Sequence, residues 1–191
     1  IMEVMSQKNK PFEGLTVQEA ARKARQELFE FLFNLLIEEE AAISAIYFTM
    51  SEDNLKRFLK KKYIFIASDS GCRATGGPLA KGRPHPRIFG TFPRVIRKYV
   101  REDKVLDLAQ AIYKMTGQPA RRFQLKNRGK IEAGYYADLV LFNFQEIKDR
   151  SDFLDHFHYC EGIEAVLVNG KLALENGKLR GTRSGQILRK K

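Results

Sequence analysis

Long apolar runs, a secretory signal and tryptophan are all missing from this sequence. Its most apolar stretch, residues 28–37, is interrupted by Glu30 and Asn34 and falls short of the roughly 18 uncharged apolar residues of a membrane-spanning helix. The first residues, from Ile1 onward, contain neither the basic nor the apolar segment of a signal peptide, and a first residue other than methionine is typical of a trimmed or incomplete chain. We therefore expect a soluble protein with no membrane partner.

Cysteine is scarce as well. Cys72 and Cys160 are too few and too far apart for a disulfide framework, which indicates a cytoplasmic location. A chain of 191 residues that are 43% hydrophobic can bury a core, so wholesale disorder is disfavoured. The length suits one domain, or one domain and a fragment.

Acidic residues are outnumbered by basic ones, 23 against 34, which gives a net charge of +11. Most basic residues alternate with acids on helical patterns, which is typical of a solvated surface. Residues 70–101 differ, because they contain eight Lys and Arg and no Asp or Glu. This stretch has few stacking aromatics, and the chain carries no nucleic-acid-binding signature, so a small anionic ligand is favoured over nucleic acid.

The first part of the chain has an α/β pattern. Thr16 begins a capping box, which predicts a helix over residues 16–39. Residues 45–50 and 63–67 are short, almost fully apolar segments on either side of a helix predicted over residues 51–60. Strand, helix, strand with continuous apolar strands is typical of a parallel sheet buried on both faces.

Later elements change in character. The long Gly- and Pro-rich loop of residues 71–90 is followed by two predicted helices, over residues 92–101 and 105–115. From about residue 129 the pattern is that of strands, and the pairs Asn169-Gly170 and Asn176-Gly177 are hairpin signals. We expect a small antiparallel β unit there.

Several motifs in this chain resemble one family. They are Met50-Ser51-Glu52, Ala67-Ser68-Asp69, Gly82-Arg83-Pro84-His85-Pro86-Arg87, Phe89-Gly90-Thr91-Phe92-Pro93-Arg94-Val95, Met115-Thr116 with Pro119-Ala120-Arg121, Gly129-Lys130-Ile131 with Gly134 and Ala137-Asp138-Leu139-Val140, and Val166-Leu167-Val168-Asn169-Gly170. Together they resemble the C-terminal part of the N-acyl-D-amino-acid deacylases (D-aminoacylases) of the metal-dependent amidohydrolase superfamily. The motif around residues 129–142 is common to many amidohydrolases, whereas the two motifs of residues 82–95 are narrower and indicate the deacylases.

This resemblance implies the fold. The family has a (β/α)₈ barrel that carries the metal site, with a small β-sandwich beside it. Residues 1–128 then correspond to a partial barrel with helices, in which residues 45–50 and 63–67 are the last two barrel strands. Residues 129–191 correspond to a segment of the β-sandwich.

The resemblance also implies site residues. Asp69 matches the aspartate that follows the final barrel strand, where a carboxylate can take a proton during attack on an amide and return it to the departing amine. Arg87 matches the arginine that binds the substrate's carboxylate, a task suited to its planar fork of donors. His85 either orients Arg87, contacts substrate or makes a structural hydrogen bond. Without the resemblance, Asp69 would be interpreted as a turn residue and Arg87 as a solvated side chain.

Metal ligands are the part that the sequence does not supply. A catalytic zinc usually needs three protein ligands, and none of the three histidines follows a recognisable strand. His156 and His158 are interpreted as surface residues and Cys72 as a free thiol. We predict zinc in the complete enzyme by resemblance, but no catalytic metal bound to this chain alone and no hydrolysis by it alone.

Two explanations stay open for such a chain. It is either part of a deacylase, completed by an N-terminal polypeptide that brings the metal ligands, or a non-enzymatic remnant. The remnant would be a homo-oligomer whose basic stretch binds anions or nucleic acid. The preferred acyl group and side chain cannot be deduced from these residues.

Overall fold

The structure, a computed structural model, describes residues 1–189 and divides into two compact units. Unit 1 contains Ile1–Thr49, Ser70–Ile88 and Ser151–His158. Unit 2 contains Met50–Asp69, Phe89–Arg150 and residues 159–189. The predicted boundary between residues 128 and 129 stays a prediction, and residues 190 and 191 of its second part lie outside the described residues.

Unit 1 contains two helices, α1 (Val17–Ala24) and α2 (Leu28–Glu38), and short 3₁₀ turns at Lys10–Phe12 and Gly77–Leu79. The capping box at the start of α1 is confirmed. The single helix predicted over residues 16–39 is wrong, because Arg25 adopts a left-handed backbone with φ 56° and ends α1. A new helix then begins at Glu27, whose carboxylate accepts the amides of Phe29 and Glu30.

The core of unit 1 lies between these helices and consists of Ala20, Ala21, Phe31 and Leu35. Next to it, the buried carboxylate of Glu39 ties down the N-terminal segment. Glu39 accepts hydrogen bonds from the side chains of Ser6 and Asn9 and from the amides of Met5 and Ser6. These bonds, the Ser6 hydroxyl first, lower the pKa of Glu39 to about 2, so this carboxylate stays ionised in mild acid.

Further along the chain lie α3 (Glu52–Leu59), α4 (Arg87–Arg94), a π-helix (Val95–Glu102), α5 (Leu108–Met115) and α6 (Gly117–Arg122). Ser51 caps α3 as predicted. The helix predicted from residue 92 begins earlier, at Arg87, which places Pro93 inside α4. Proline has no N–H to donate to the preceding turn, and the wider π-helical turns follow directly after it. The core cluster of unit 2 is Leu59, Val95, Tyr99, Val100, Leu106 and Ala111.

The predicted antiparallel β unit is confirmed. Its four strands, β1 (Leu139–Phe142), β2 (Ile163–Val168), β3 (Lys171–Glu175) and β4 (Lys178–Leu179), pair in sequence order. Asn169 and Gly170 link β2 to β3 with φ values of 48° and 76°, the left-handed pair that a tight hairpin turn requires.

The two strands predicted at residues 45–50 and 63–67 are not strands in the structure. A strand is defined by a ladder of backbone hydrogen bonds with a neighbour. Just before and within the second segment, backbone groups are bonded instead to residues of α5 and α6 in unit 2. Ile66 N–H donates to the carbonyl of Lys114 at 3.0 Å, and the side chain of Gln118 donates to the carbonyl of Lys62 at 2.7 Å. In the first segment, Tyr47 and Phe48 are largely exposed. Both segments are apolar, as predicted, but within residues 1–189 neither of them pairs with a neighbouring strand.

None of the helices described for residues 1–189 combines the length and the apolar character needed to cross a membrane.

Candidate active site

Asp69 ends the first segment of unit 2 and is exposed. It follows the apolar residues 63–67, as the sequence analysis predicted, although these residues form no strand. Its backbone is left-handed, with φ 46°. Asp and Asn tolerate this conformation better than most residues, since their short polar side chains bond locally. Asp69 thus stands at a sharp turn, shortly after the half-buried residues 64–66.

His85 and Arg87 lie together in unit 1, at the start of α4. The backbone N–H of Arg87, the first residue of α4, donates to Nδ1 of His85 at 3.0 Å. The carbonyl of His85 accepts the next amide, that of Ile88, at 3.1 Å. His85 therefore satisfies the first two amides of this helix and fixes the backbone of Arg87. Because Nδ1 accepts a hydrogen bond, the proton of the neutral ring belongs on Nε2.

A distant stretch of the chain, residues 151–158 of unit 1, supports this loop. Phe153 packs edge-on against the ring of His85, with centroids 5.1 Å apart, and against Phe48, with centroids 4.9 Å apart. His156 is only 6% exposed. The interpretation of His156 as a surface residue is therefore wrong. The polar residues around it gave no sign that this stretch of chain folds back and buries the ring.

Both histidine rings are held neutral by their surroundings. Burial, followed by the charge of Arg87, lowers the pKa of His85. Burial, followed by the charge of Arg83, lowers the pKa of His156, against a smaller opposing effect of Asp152. The neutral form of His85 is also the form that its bond to the Arg87 amide requires.

Acid is expected to destabilise the chain through these two rings. A histidine whose pKa is lower in the folded than in the unfolded state stabilises fully above its unfolded pKa of 6.5, and this contribution is lost as the pH falls through the folded pKa. We expect the thermal midpoint to fall as the pH drops below about 6.5, the unfolded pKa of histidine. Substitutions His85→Asn and His156→Asn should each flatten this slope.

His158→Gln is the control, since its ring, half exposed beside Asp155, takes part in neither arrangement. A midpoint that stays constant between pH 8 and 5 in the unsubstituted chain would contradict the assignment of two neutral rings.

The structure thus places His85 and Arg87 side by side in unit 1 and Asp69 in unit 2. The roles of all three residues stay predictions.

The basic stretch of residues 70–101 is partly neutralised by acids from elsewhere in the chain. At least four of its eight basic residues form ion pairs, with Glu3, Glu52 or Asp149 as partners. These residues are Arg73, Arg94, Arg97 and Lys98. Paired charges offer less to phosphate groups, so the local excess of positive charge is smaller than the sequence suggests.

The narrow motif around Gly90 has a structural role in unit 2. A Cβ atom on Gly90 would lie 3.0 Å from the Cβ of Asp149, and the same Asp149 accepts hydrogen bonds from Arg94 at 3.3 Å and Arg97 at 2.7 Å. Burial alone would raise the pKa of Asp149, but the bond and charge of Arg97 outweigh it and the pKa is lowered. These motif residues hold α4 and the π-helix to the loop before residue 150.

Residues that could hold a metal are few. His156 and His158 have the His-x-His spacing that is common among metal ligands, a feature the sequence analysis overlooked. His158, however, is bonded to Asp155 at 2.6 Å. Within residues 1–189, no three or more His, Cys, Asp or Glu side chains are grouped to hold a metal ion. The residues described do not fit a zinc site. Cys72 is an exposed free thiol, as predicted.

Comparisons with known proteins support the resemblance. The amidohydrolase family model matches residues 77–173. The chain is 37% identical over 153 residues to the D-aminoacylase of Alcaligenes xylosoxydans xylosoxydans, covering 80% of this chain and 30% of that protein. It is 37% identical over 165 residues to the N-acyl-D-aspartate deacylase of the same organism, covering 83% of this chain and 32% of that protein.

Among solved structures, the chain is similar to the N-acyl-D-glutamate deacylase from Bordetella bronchiseptica, with a TM-score of 0.78 and 34% identity over 91% of this chain and 34% of that one. That enzyme was crystallised with zinc and a phosphonate inhibitor that mimics the tetrahedral intermediate of its reaction. The chain spans about a third of the length of the relatives it matches.

Proposed function

Because the chain belongs to the amidohydrolase family, we propose that it is the C-terminal part of an N-acyl-D-amino-acid deacylase. Such an enzyme hydrolyses the amide of an N-acyl-D-amino acid to a carboxylate and a free D-amino acid. The observation that carries this proposal is the likeness to a deacylase over 91% of the chain at 34% identity.

Asp69 acts as the proton-transfer group. A carboxylate at this position removes a proton from the attacking water and returns it to the nitrogen of the departing amine, which cannot leave as an anion. Its exposure in this chain leaves it accessible to a substrate held by the rest of the enzyme.

Arg87 binds the carboxylate of the substrate. A guanidinium offers two parallel N–H donors to two carboxylate oxygens and remains charged at every pH of interest. His85 positions Arg87 by accepting its backbone amide.

A complementing polypeptide completes the barrel. Among the described residues, exposed large hydrophobic side chains outnumber buried hydrophobic ones. In unit 1, Phe29, Phe33 and Ile37 are spaced four apart on α2 and are 61%, 60% and 75% exposed. A stripe of this kind requires a covering surface.

The complementing polypeptide also supplies the metal cage. Zinc polarises the scissile carbonyl and activates water when it is bound. A homo-oligomer of this chain would cover apolar surface but would bring no such cage, since each copy has the same residues. An N-terminal polypeptide with the family's metal ligands is therefore the partner we propose.

Complementation tests this function. The purified chain is mixed with the N-terminal two thirds of a deacylase of this family in the presence of zinc, and release of D-amino acid from N-acyl-D-amino acids is measured. We expect turnover from the mixture, none from either polypeptide alone, and none with N-acyl-L-amino acids. A stable complex that binds zinc but hydrolyses no N-acyl-D-amino acid would refute the proposal. Turnover by the chain alone, with one zinc per chain, would refute the need for a partner.

A further inference from the structure

We propose that Lys114 is a positioning residue that fixes the segment of chain leading to Asp69. The inference deepens the proposed function and rests on it for the role of Asp69, whereas the contacts that carry it are independent of any activity. Lys114 lies near the end of α5 in unit 2, within a helical pattern that the sequence analysis interpreted as a solvated surface. That interpretation is wrong for this residue, because Lys114 is only 6% exposed.

The contacts of Lys114 are concentrated on one short segment of backbone. Its Nζ donates to the carbonyl of Lys61 at 2.5 Å and to that of Ile64 at 2.6 Å. Its own carbonyl accepts the amide of Ile66 at 3.0 Å. One residue therefore holds three backbone groups across six consecutive positions, 61–66.

The next helix adds two further anchors. The side-chain amide of Gln118 in α6 donates to the carbonyl of Lys62 at 2.7 Å. The ring of Phe65 packs edge-on against that of Phe123, with centroids 5.7 Å apart. From Ile66 only three further peptide units lead to Asp69, so the reach of the chain limits how far Asp69 can move once Ile66 is held.

The chemistry of the Lys114 side chain suits it to hold this backbone segment. Both acceptors of its ammonium group are backbone carbonyls, and burial lowers its pKa. A buried ammonium group is unfavourable unless hydrogen bonds compensate for its lost hydration. Lysine combines three donors with a long flexible stem, which lets one side chain bridge carbonyls three residues apart. A methionine would fill the same space without either bond.

Hydrogen exchange of the chain itself tests the clamp. The variant Lys114→Met removes both bonds from Nζ, and we expect the Ile66 amide to exchange at least 10-fold faster while the amides of β2 are unchanged. Lys114→Arg, which retains charge and donors, should restore most of the protection. Ala111→Gly is the matched control, because it weakens the same helix at a buried position and leaves the hydrogen-bonding side chains of Lys114 and Gln118 in place. It should change exchange throughout unit 2 rather than at Ile66 selectively.

Steady-state kinetics of the complemented enzyme test the consequence for Asp69. A displaced catalytic group slows the chemical step more than it weakens binding, so we expect Lys114→Met to lower kcat by about 10- to 100-fold with KM changed less than about twofold. Lys114→Arg should recover most of kcat. Faster exchange at Ile66 with unchanged kcat would overturn the positioning role, and unchanged exchange would overturn the clamp.

The two arms separate this inference from the proposed function. If the unsubstituted mixture has no activity, the deacylase proposal fails while the exchange result still decides the clamp. If Lys114→Met does not fold, Gln118→Met removes the single bond to Lys62 and should raise exchange at residues 62–66 selectively. No selective change in that variant would overturn the proposal.

Discussion

The variant Asp69→Asn is expected to abolish deacylation by the complemented enzyme, with kcat reduced about 10²- to 10⁴-fold, the usual contribution of a positioned acid–base group. The amide of asparagine has the same shape as the carboxylate but cannot take a proton from water. Asparagine also tolerates the left-handed backbone at this position, φ 46°, so the turn should be preserved. Alanine would remove the proton carrier and strain the turn at once, and is the less informative change.

The controls separate chemistry from folding. The thermal midpoint of Asp69→Asn is measured beside its activity, so that a loss of stability is distinguished from a loss of chemistry. Asp53→Asn, an exposed carboxylate in the first turn of α3, should keep full activity. Retention of kcat within tenfold in Asp69→Asn would remove Asp69 from the mechanism.

The variant Arg87→Ala is expected to raise KM about 10- to 100-fold. A hydrogen bond to a charged partner contributes about 1.5–3 kcal/mol, and each 1.4 kcal/mol is about a tenfold change in affinity. The KM of Arg87→Lys should lie between that of the unsubstituted enzyme and that of Arg87→Ala, because an ammonium group keeps the charge but loses the planar fork of donors. Saturation kinetics of the complemented enzyme with an N-acyl-D-amino acid measure both variants.

The chemistry of the substrate gives the sharper comparison. If Arg87 binds the carboxylate, a substrate whose carboxylate is replaced by a neutral carboxamide should lose little on Arg87→Ala. Lys81→Ala, an exposed cation in the same loop, should change KM for neither substrate. An equal loss for the acid and the carboxamide would show that Arg87 has a structural rather than a binding role.

Local signals in the sequence predicted local structure well. The capping box at Thr16, the cap at Ser51 and the two Asn-Gly turns are all found where they were predicted. Each depends on residues within four positions of one another, so no distant contact can easily override it. Two other local features were missed: the left-handed backbone of Arg25, which ends α1, and the ring of His85, which accepts the amide of Arg87 at the start of α4.

The strand predictions failed because of contacts between residues that are distant in sequence. Residues 63–67 are apolar enough for a buried strand, but a strand also needs a neighbour for its backbone groups. In this chain Lys114 and Gln118 bind the backbone just before and within that segment. The apolar content of a segment predicts that it will be packed against other residues, but it does not identify those residues.

By itself, the sequence determined the family, the antiparallel β unit, the candidate residues Asp69 and Arg87 and the scarcity of metal ligands, since residue identities and short spacings carry all of these. Only the tertiary structure decided that residues 151–158 return to support His85, and that a buried Lys114 clamps the segment that leads to Asp69. The physical reason is that these contacts join residues 50 or more positions apart in the sequence. A local sequence pattern does not show which of such distant residues will meet.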